Sequence, residues 1–333
     1  MQFDRTELGR KAKEMGFVRD TFEKVCRLSD ILELFEQDDY LSIFLALKGG
    51  TAINLGLFDL PRLSVDIDLD LSGSFSKEQV IEIRRLLTER IQGYMVANDY
   101  LQSSRTRNHY ALDSFVFDYI NSAGLRDNIK IEINYMLRDH VMKPQKSAIT
   151  LPWHERSISV LQVDTIEIMA SKIVALITRS TPRDLFDLYN FIHSDKEKEL
   201  DLTLLRKCTL FYIAIGTDDL TKIDFNGIQK ISQNQIKRDL VPVLKSGEFF
   251  DVREAQQKCI SYLRSLLDFT DNEKLFWNLF SSKEYIPGLL FDDESILSRI
   301  DKHPMALWKC MGNDYLLSDA RQNRKEPGNG RML

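Results

Sequence analysis

Cysteine is scarce in this chain of 333 residues: Cys26, Cys208, Cys259 and Cys310 are widely scattered, and none belongs to a CxxC pair. That scatter excludes a zinc knuckle and offers no disulfide framework, so the four read as reduced packing residues. Long apolar runs are missing too, and no stretch approaches the roughly eighteen residues that a membrane helix needs. The opening MQFDRTELGRKAKEMGF is charged and lacks the apolar segment of a signal peptide, so a cytoplasmic address with no membrane partner is expected. Histidine is sparse, and His109, His140, His154, His193 and His303 show no metal-ligand spacing. A net charge of -5 is small for this length. It argues against non-specific coating of nucleic acid while leaving room for a local basic groove.

What is present fits a globular protein, with 43% hydrophobic and 29% charged residues, enough to build two domains or one with a helical extension. Residues 1–40 are rich in helix formers. LSIFLAL (41–47) reads as a buried strand that ends at Lys48, with Gly49 and Gly50 marking the turn into a helix over TAINLGLF. Pro61 stops that helix, and LSVDIDLDL (63–71) alternates strictly between apolar and polar residues, as a half-buried strand does. Ser76 stands three residues before Gln79, a capping box opening an amphipathic helix over 76–96. YLQSSRTR, YALDSFVFDYI and NIKIEINYM are expected strands, and helix is expected to dominate from there. The helices over 165–178 and 183–193 pair across Arg179–Pro182. The charge run SDKEKELD (194–201) suggests a boundary between a mixed α/β core, residues 41–195, and a mostly helical domain, 196–333. There is no internal repeat, and the polar tail RQNRKEPGNGRML is expected to fray.

The chemistry concentrates in residues 48–70, KGGTAINLGLFDLPRLSVDIDLD. On a strand, residues two apart share a face, so Asp66, Asp68 and Asp70 line one side at about 6–7 Å Cα spacing while Val65, Ile67, Leu69 and Leu71 face the core. Carboxylates so placed suit a hard divalent cation such as Mg²⁺ or Mn²⁺. An EF-hand starting at Asp66 fails, because its sixth and twelfth positions are Leu71 and Lys77. A P-loop fails as well, since Lys48 precedes Gly49 and Gly50. Gly49, Gly50 and Thr51 at a strand-to-helix junction offer backbone N–H groups to a phosphate. A phosphate cradle followed by a DxD strand is a nucleoside triphosphate arrangement.

This stretch resembles motif I of the DNA polymerase β-type nucleotidyltransferases, and KGGT followed by R-x-S-x-D-I-D-L resembles the AbiEii/AbiGii toxin family. A second element of that family is matched by Lys172, Ala175, Arg179, Arg183, Asp184, Asp187, Leu188 and Tyr189. The resemblance covers about residues 40 to 195 and implies an α/β (α+β) polymerase β-like core with a small mixed sheet and a divergent helical domain after it. It implies that Lys48, Gly49, Gly50, Thr51, Lys172 and Arg183 meet the nucleotide and that Asp66 and Asp68 bind metal. Glu132 is the best placed third carboxylate, and Asp187, with Asp184, completes the last acidic motif. It also implies the toxin of a bacterial toxin–antitoxin pair, with a cognate antitoxin; because a polymerase-type site that extends a nucleic acid needs a 3′-OH nucleophile, the expected acceptor is RNA, the tRNA 3′ end, to which nucleotide is transferred with release of pyrophosphate. Arg138, Lys143 and Lys146, or Arg321, Arg324 and Lys325, could steer such an acceptor.

Plainer readings compete with these. Alone, DIDLD is as readily a solvated strand face, and Asp70 is better read as a partly exposed structural residue. Glu132 could be an ordinary surface carboxylate. Lys172, in the apolar helix IMASKIVALIT, could simply extend its ammonium to solvent. Asp184 serves equally well as a first-turn acid favoured by the helix dipole. The functional alternatives are nucleotidylation of a protein side chain and a nucleotide-binding module without transfer.

Overall fold

Eight strands form one mixed sheet in a computed structural model that describes residues 3–153, 156–217 and 223–311. They are β1 (Leu45–Lys48), β2 (Asp66–Leu71), β3 (Leu101–Gln102), β4 (Arg107–Asn108), β5 (Leu112–Ile120), β6 (Arg126–Asn134), β7 (Gln145–Leu151) and β8 (Arg156–Gln162). Their order is β3-β5-β6-β2-β1-β8-β7, with β4 beside β5. The aspartate strand β2 is therefore interior, antiparallel to β1 and parallel to β6. Ile67, Leu69 and Leu71 are buried, as the alternation requires, and Val65 packs against the same core.

The strand expected over 41–47 begins later than its apolar run. Asp38 accepts from the backbone N–H groups of Tyr40 (2.8 Å) and Leu41 (2.9 Å), which holds Leu41–Phe44 in a helical turn and leaves Leu45–Lys48 as the strand. One helical turn that begins at the glycines (Gly49–Ala52) widens into a π-helix over Ile53–Leu57. YLQSSRTR supplies only β3 and the first residue of β4, because Thr106 trades hydrogen bonds with the Val116 backbone and bends the chain between them. The β7–β8 hairpin was not expected. The first half of each strand is largely polar, and only the second halves carry the buried Ile149, Leu151 and Val160.

Ten longer helices surround the sheet: α1 (Arg5–Glu14), α2 (Arg19–Gln37), α3 (Lys77–Ala97), α4 (Thr165–Arg179), α5 (Pro182–Ile192), α6 (Leu202–Gly216), α7 (Val252–Leu266), α8 (Asp271–Ser281), α9 (Glu294–Ile300) and α10 (Pro304–Met311). The capping box opens α3 as expected: Ser76 N–H donates to Gln79 Oε1 (2.8 Å) and Gln79 N–H to Ser76 Oγ (3.3 Å). Asp164 caps α4, Thr181 caps α5, and Ser180 makes the left-handed turn between them. The charge run contains a short helix, Asp195–Glu199. Beyond it α6 packs on α4 and α7 on α5, within one continuous set of buried side chains running from Leu8 to Ala306. Cys26, Cys208 and Cys259 are buried free thiols of that core. His154 and the tail with Arg321, Arg324 and Lys325 lie outside the described residues.

Candidate active site

The glycine pair brings two strands to close quarters. Gly49 has φ +70, and a Cβ there would lie 2.3 Å from Asp68 Oδ2. Gly49→Ala would thus combine left-handed strain with displacement of the Asp68 carboxylate, so it should cost about 1–3 kcal/mol of stability. Equilibrium unfolding of the variant checks this, and an unchanged midpoint would refute the close approach. A Cβ on Gly50 would meet Ser64 Oγ at 2.7 Å and an Arg62 guanidinium nitrogen at 3.1 Å. Thr51 is fully buried, and its hydroxyl donates to the Asp66 carbonyl at 2.5 Å. It ties the glycine turn to β2.

Asp66 and Asp68 are partly exposed on β2, with Lys48 opposite Asp68 on β1 and Glu132 opposite it on β6. Glu132 is itself partly exposed and lies 2.9 Å from the Lys130 ammonium. Asp70 departs from the partly exposed role expected of it. It is buried, 2.5 Å from the Lys48 ammonium and 3.3 Å from His140 Nε2. Burial opposes the His140 imidazolium, but the Asp70 and Glu167 carboxylates outweigh it and raise its pKa. Glu167 in turn accepts the backbone N–H groups of Val141 and Met142 and the Tyr212 hydroxyl. Helices α4 and α6 thereby hold the loop that places His140 against Asp70. Asp70→Asn should lower thermal stability while leaving the metal dependence of nucleotide binding unchanged, as metal titrations of both proteins would report. A shifted metal dependence would make Asp70 a ligand.

The second motif folds onto the first through buried ion pairs. Lys172 Nζ lies 3.1 Å from Asp184 Oδ1 and 2.9 Å from Asp187 Oδ2. Asp187 is clasped by Arg62, whose Nε and Nη2 donate at 2.7 and 2.6 Å. Asp184 accepts from Arg179 Nε (2.7 Å) and the Thr181 hydroxyl (2.6 Å). Burial alone would lower the Lys172 pKa, but Asp187 and Asp184 outweigh it and raise it. Burial likewise works against both carboxylates, yet Arg62 and Lys172 hold Asp187 below the usual range, and Lys172 and Arg179 hold Asp184 far below it. Lys172 thus sits within the protein, paired, and does not reach out to solvent. Arg183 Nε donates to the Asp239 carbonyl at 2.9 Å; burial, and then the nearby Arg62, lower its pKa.

Two cavities meet at these residues. A charged cleft of about 350 Å³ is lined by Gly50, Ser64, Asp66, Glu132, Arg183 and Asp184 among others. A largely apolar chamber of about 480 Å³ is lined by Val163, Ile168, Ala175, Ile215 and Met305, with Lys48, Asp70 and Asn134 among its polar residues. Asp68, Lys172 and Arg179 belong to both. Burial raises the Asp68 pKa; Lys48 and Lys172 oppose the rise, while Asp66 and Glu132 add to it. Among the described residues no three His, Cys, Asp or Glu side chains form a ready metal cage. Asp66 and Asp68 still fit a hard cation in chemical kind, being all-oxygen donors of like charge on one face.

Arg62, Arg179 and His140 were not assigned roles from the sequence. A signal for Arg62 was available, since an arginine in the apolar stretch LPRLSV needs a carboxylate partner if it is buried. Arg138, expected to help steer an acceptor, spends its guanidinium on the Tyr135 and Phe75 carbonyls. Lys143 and Lys146 are exposed.

The arrangement joins an acidic strand, a buried lysine cluster and a charged cleft on a mixed α/β scaffold. The chain belongs to the family described as nucleotidyl transferase AbiEii toxin, type IV toxin–antitoxin system, which it matches over residues 31–256. It is a nucleotidyltransferase, with a nucleoside triphosphate substrate and an antitoxin partner. Its fold is similar to that of MenT4, a nucleotidyltransferase toxin from Mycobacterium tuberculosis H37Rv, with a TM-score of 0.63 and 17% identity over 92% of this chain and 99% of that one. A search of curated protein sequences finds no match.

Proposed function

We propose that this toxin transfers a nucleoside monophosphate from a triphosphate to an RNA hydroxyl, the tRNA 3′ end, in a reaction dependent on Mg²⁺ or Mn²⁺. The observation that carries the reading is the meeting of the charged cleft and the apolar chamber at Asp68, Lys172 and Arg179. A triphosphate joins a polyanion to a flat, weakly polar base, and these two compartments match its halves. Gly50 and Arg183 would meet the phosphates in the charged cleft, and the base would enter the chamber. Lys172, with Asp184 and Asp187 taking up part of its charge, can still direct an N–H toward phosphate and stabilise charge that develops there. The acceptor hydroxyl attacks the α-phosphorus in line and pyrophosphate leaves, so positioning and electrostatics carry most of the rate. A divalent ion held by Asp66 and Asp68, with Glu132 beside them, would lower the pKa of the attacking hydroxyl and neutralise phosphate charge.

Residues 41–195 would form the transferase core, and the helices of 196–333 would close the chamber with Ile215, Gly216 and Met305. An RNA 3′-OH suits a polymerase-type site, with Lys143 and Lys146 as phosphate contacts. No helix among the described residues is long and apolar enough to cross a membrane, which fits action on cytoplasmic RNA. The test is incubation of the purified protein with each labelled triphosphate, Mg²⁺ and total tRNA. EDTA-sensitive label in tRNA is the expected result. Label only on protein would favour side-chain nucleotidylation, and nucleotide binding without covalent label would reduce the protein to a binding module.

A further inference from the structure

The apolar chamber carries few neutral groups able to distinguish one base from another, and one of them has its polarity set by the backbone. Asn134 ends β6, where its Oδ1 accepts from the N–H groups of Met136 (2.8 Å) and Leu137 (2.9 Å). This turn uses both lone pairs of the side-chain carbonyl. A flipped amide would set its NH₂ against two backbone N–H donors, so the orientation is imposed by the chain. What Asn134 has left for the chamber is Nδ2, a group that can only donate. Of the other polar groups lining the chamber, the Tyr212 hydroxyl donates to Glu167 and the Thr178 hydroxyl to the Val174 carbonyl at 2.8 Å, so these two, on α6 and α4, keep only lone pairs, as do the Asp68 and Asp70 carboxylates of β2; Asn134, on β6, is the neutral side chain held as a donor. Ser171 can donate or accept and so does not discriminate. Lys48 lines the chamber as well, with its ammonium on Asp70.

From this geometry we infer that Asn134 is a specificity-determining residue that selects nucleotides bearing a keto oxygen, UTP and GTP, over their amino counterparts, CTP and ATP. The inference rests on the reading of the chamber as the base site. Uracil O4 and guanine O6 accept a hydrogen bond, whereas cytosine N4 and adenine N6 present donors at the same edge. An amino base would face the Asn134 amide donor to donor and bury both unpaired, which is the situation that gives a polar site its selectivity. Ring size is not chosen by this contact, so the preference runs across the purine and pyrimidine pairs alike.

The experiment measures kcat/KM for transfer of each of the four nucleotides, and their equilibrium binding, with the wild-type chain and Asn134→Asp. UTP over CTP and GTP over ATP should each be favoured by about tenfold or more in the wild type. The aspartate keeps one oxygen for Met136 and Leu137 and turns the other, an acceptor, toward the base, so both ratios should fall and move toward CTP and ATP. Whatever rate is lost overall to the added negative charge, the ratios carry the result. If the Asp variant does not fold, the wild-type ratios decide alone. Wild-type ratios near one, or ratios that Asn134→Asp leaves unchanged, overturn the role of Asn134 while leaving nucleotidyl transfer intact. Failure of the wild type to bind or transfer any of the four overturns the base-site reading and this inference together.

Discussion

Asp66→Ala and Asp68→Ala should each reduce nucleotidyl transfer by about 10²- to 10³-fold or more and abolish growth inhibition on expression, with the fold retained. The expected stability follows from where these carboxylates sit. Both are partly exposed, and burial together with the like charges of Asp66 and Glu132 raises the Asp68 pKa. Removing either relieves repulsion in the folded protein, so the thermal midpoint should hold or rise. The measurement pairs labelled transfer with thermal unfolding on the same preparations. A folded double alanine variant that still arrests growth would remove the catalytic reading of β2. Chelation should match these variants, and EDTA-insensitive transfer would point to a metal-free reaction.

The largest loss of stability is expected at Arg62. Arg62→Met would leave Asp187 buried without its two-point partner, and breaking a buried pair from one side costs about 3–5 kcal/mol. Lys172→Met should cost less, about 2 kcal/mol, because Asp187 keeps Arg62 and Asp184 keeps Arg179 and Thr181. A lysine merely stripped of water would gain stability on losing its charge, so its two carboxylate partners reverse the sign expected of this substitution. Lys172→Met should also slow transfer by about 10²-fold or more, with Lys172→Arg a partial rescue, since a planar fork does not reproduce a compact ammonium. Denaturant unfolding of the arginine and lysine variants decides the order, and an Arg62→Met protein as stable as wild type would show that the clasp on Asp187 contributes nothing. The same cluster sets a pH response. Asp184 and Asp187 have depressed pKa values in the folded state, so their contribution is complete above the unfolded carboxylate pKa of about 4 and is lost as pH falls below it.

Features set by near neighbours were legible from the chain alone. The period-two alternation of LSVDIDLDL, the Ser76–Gln79 capping box, the helices on either side of Ser180 and the glycine pair before the aspartates all follow from interactions within a few residues, which composition and spacing encode directly. The spacing of GGT, DID and the lysine helix also carried the family resemblance. Choice of partner was a different matter. Arg62 meets Asp187 across 125 positions, and its apolar neighbours indicate only that a buried arginine there needs a carboxylate, not which one. Asp70 continues the alternation of Asp66 and Asp68 in sequence, yet β1 and the loop after β6 pair it with both Lys48 and His140 and bury it. Asn134 gains its donor-only face because its own turn uses up the carbonyl, and the apolar wall it faces is assembled from α4, α6 and α10. Local periodicity determined which residues could share a face. Packing between distant elements decided which of them are buried, and burial decides which charges must be paired and which remain for a ligand.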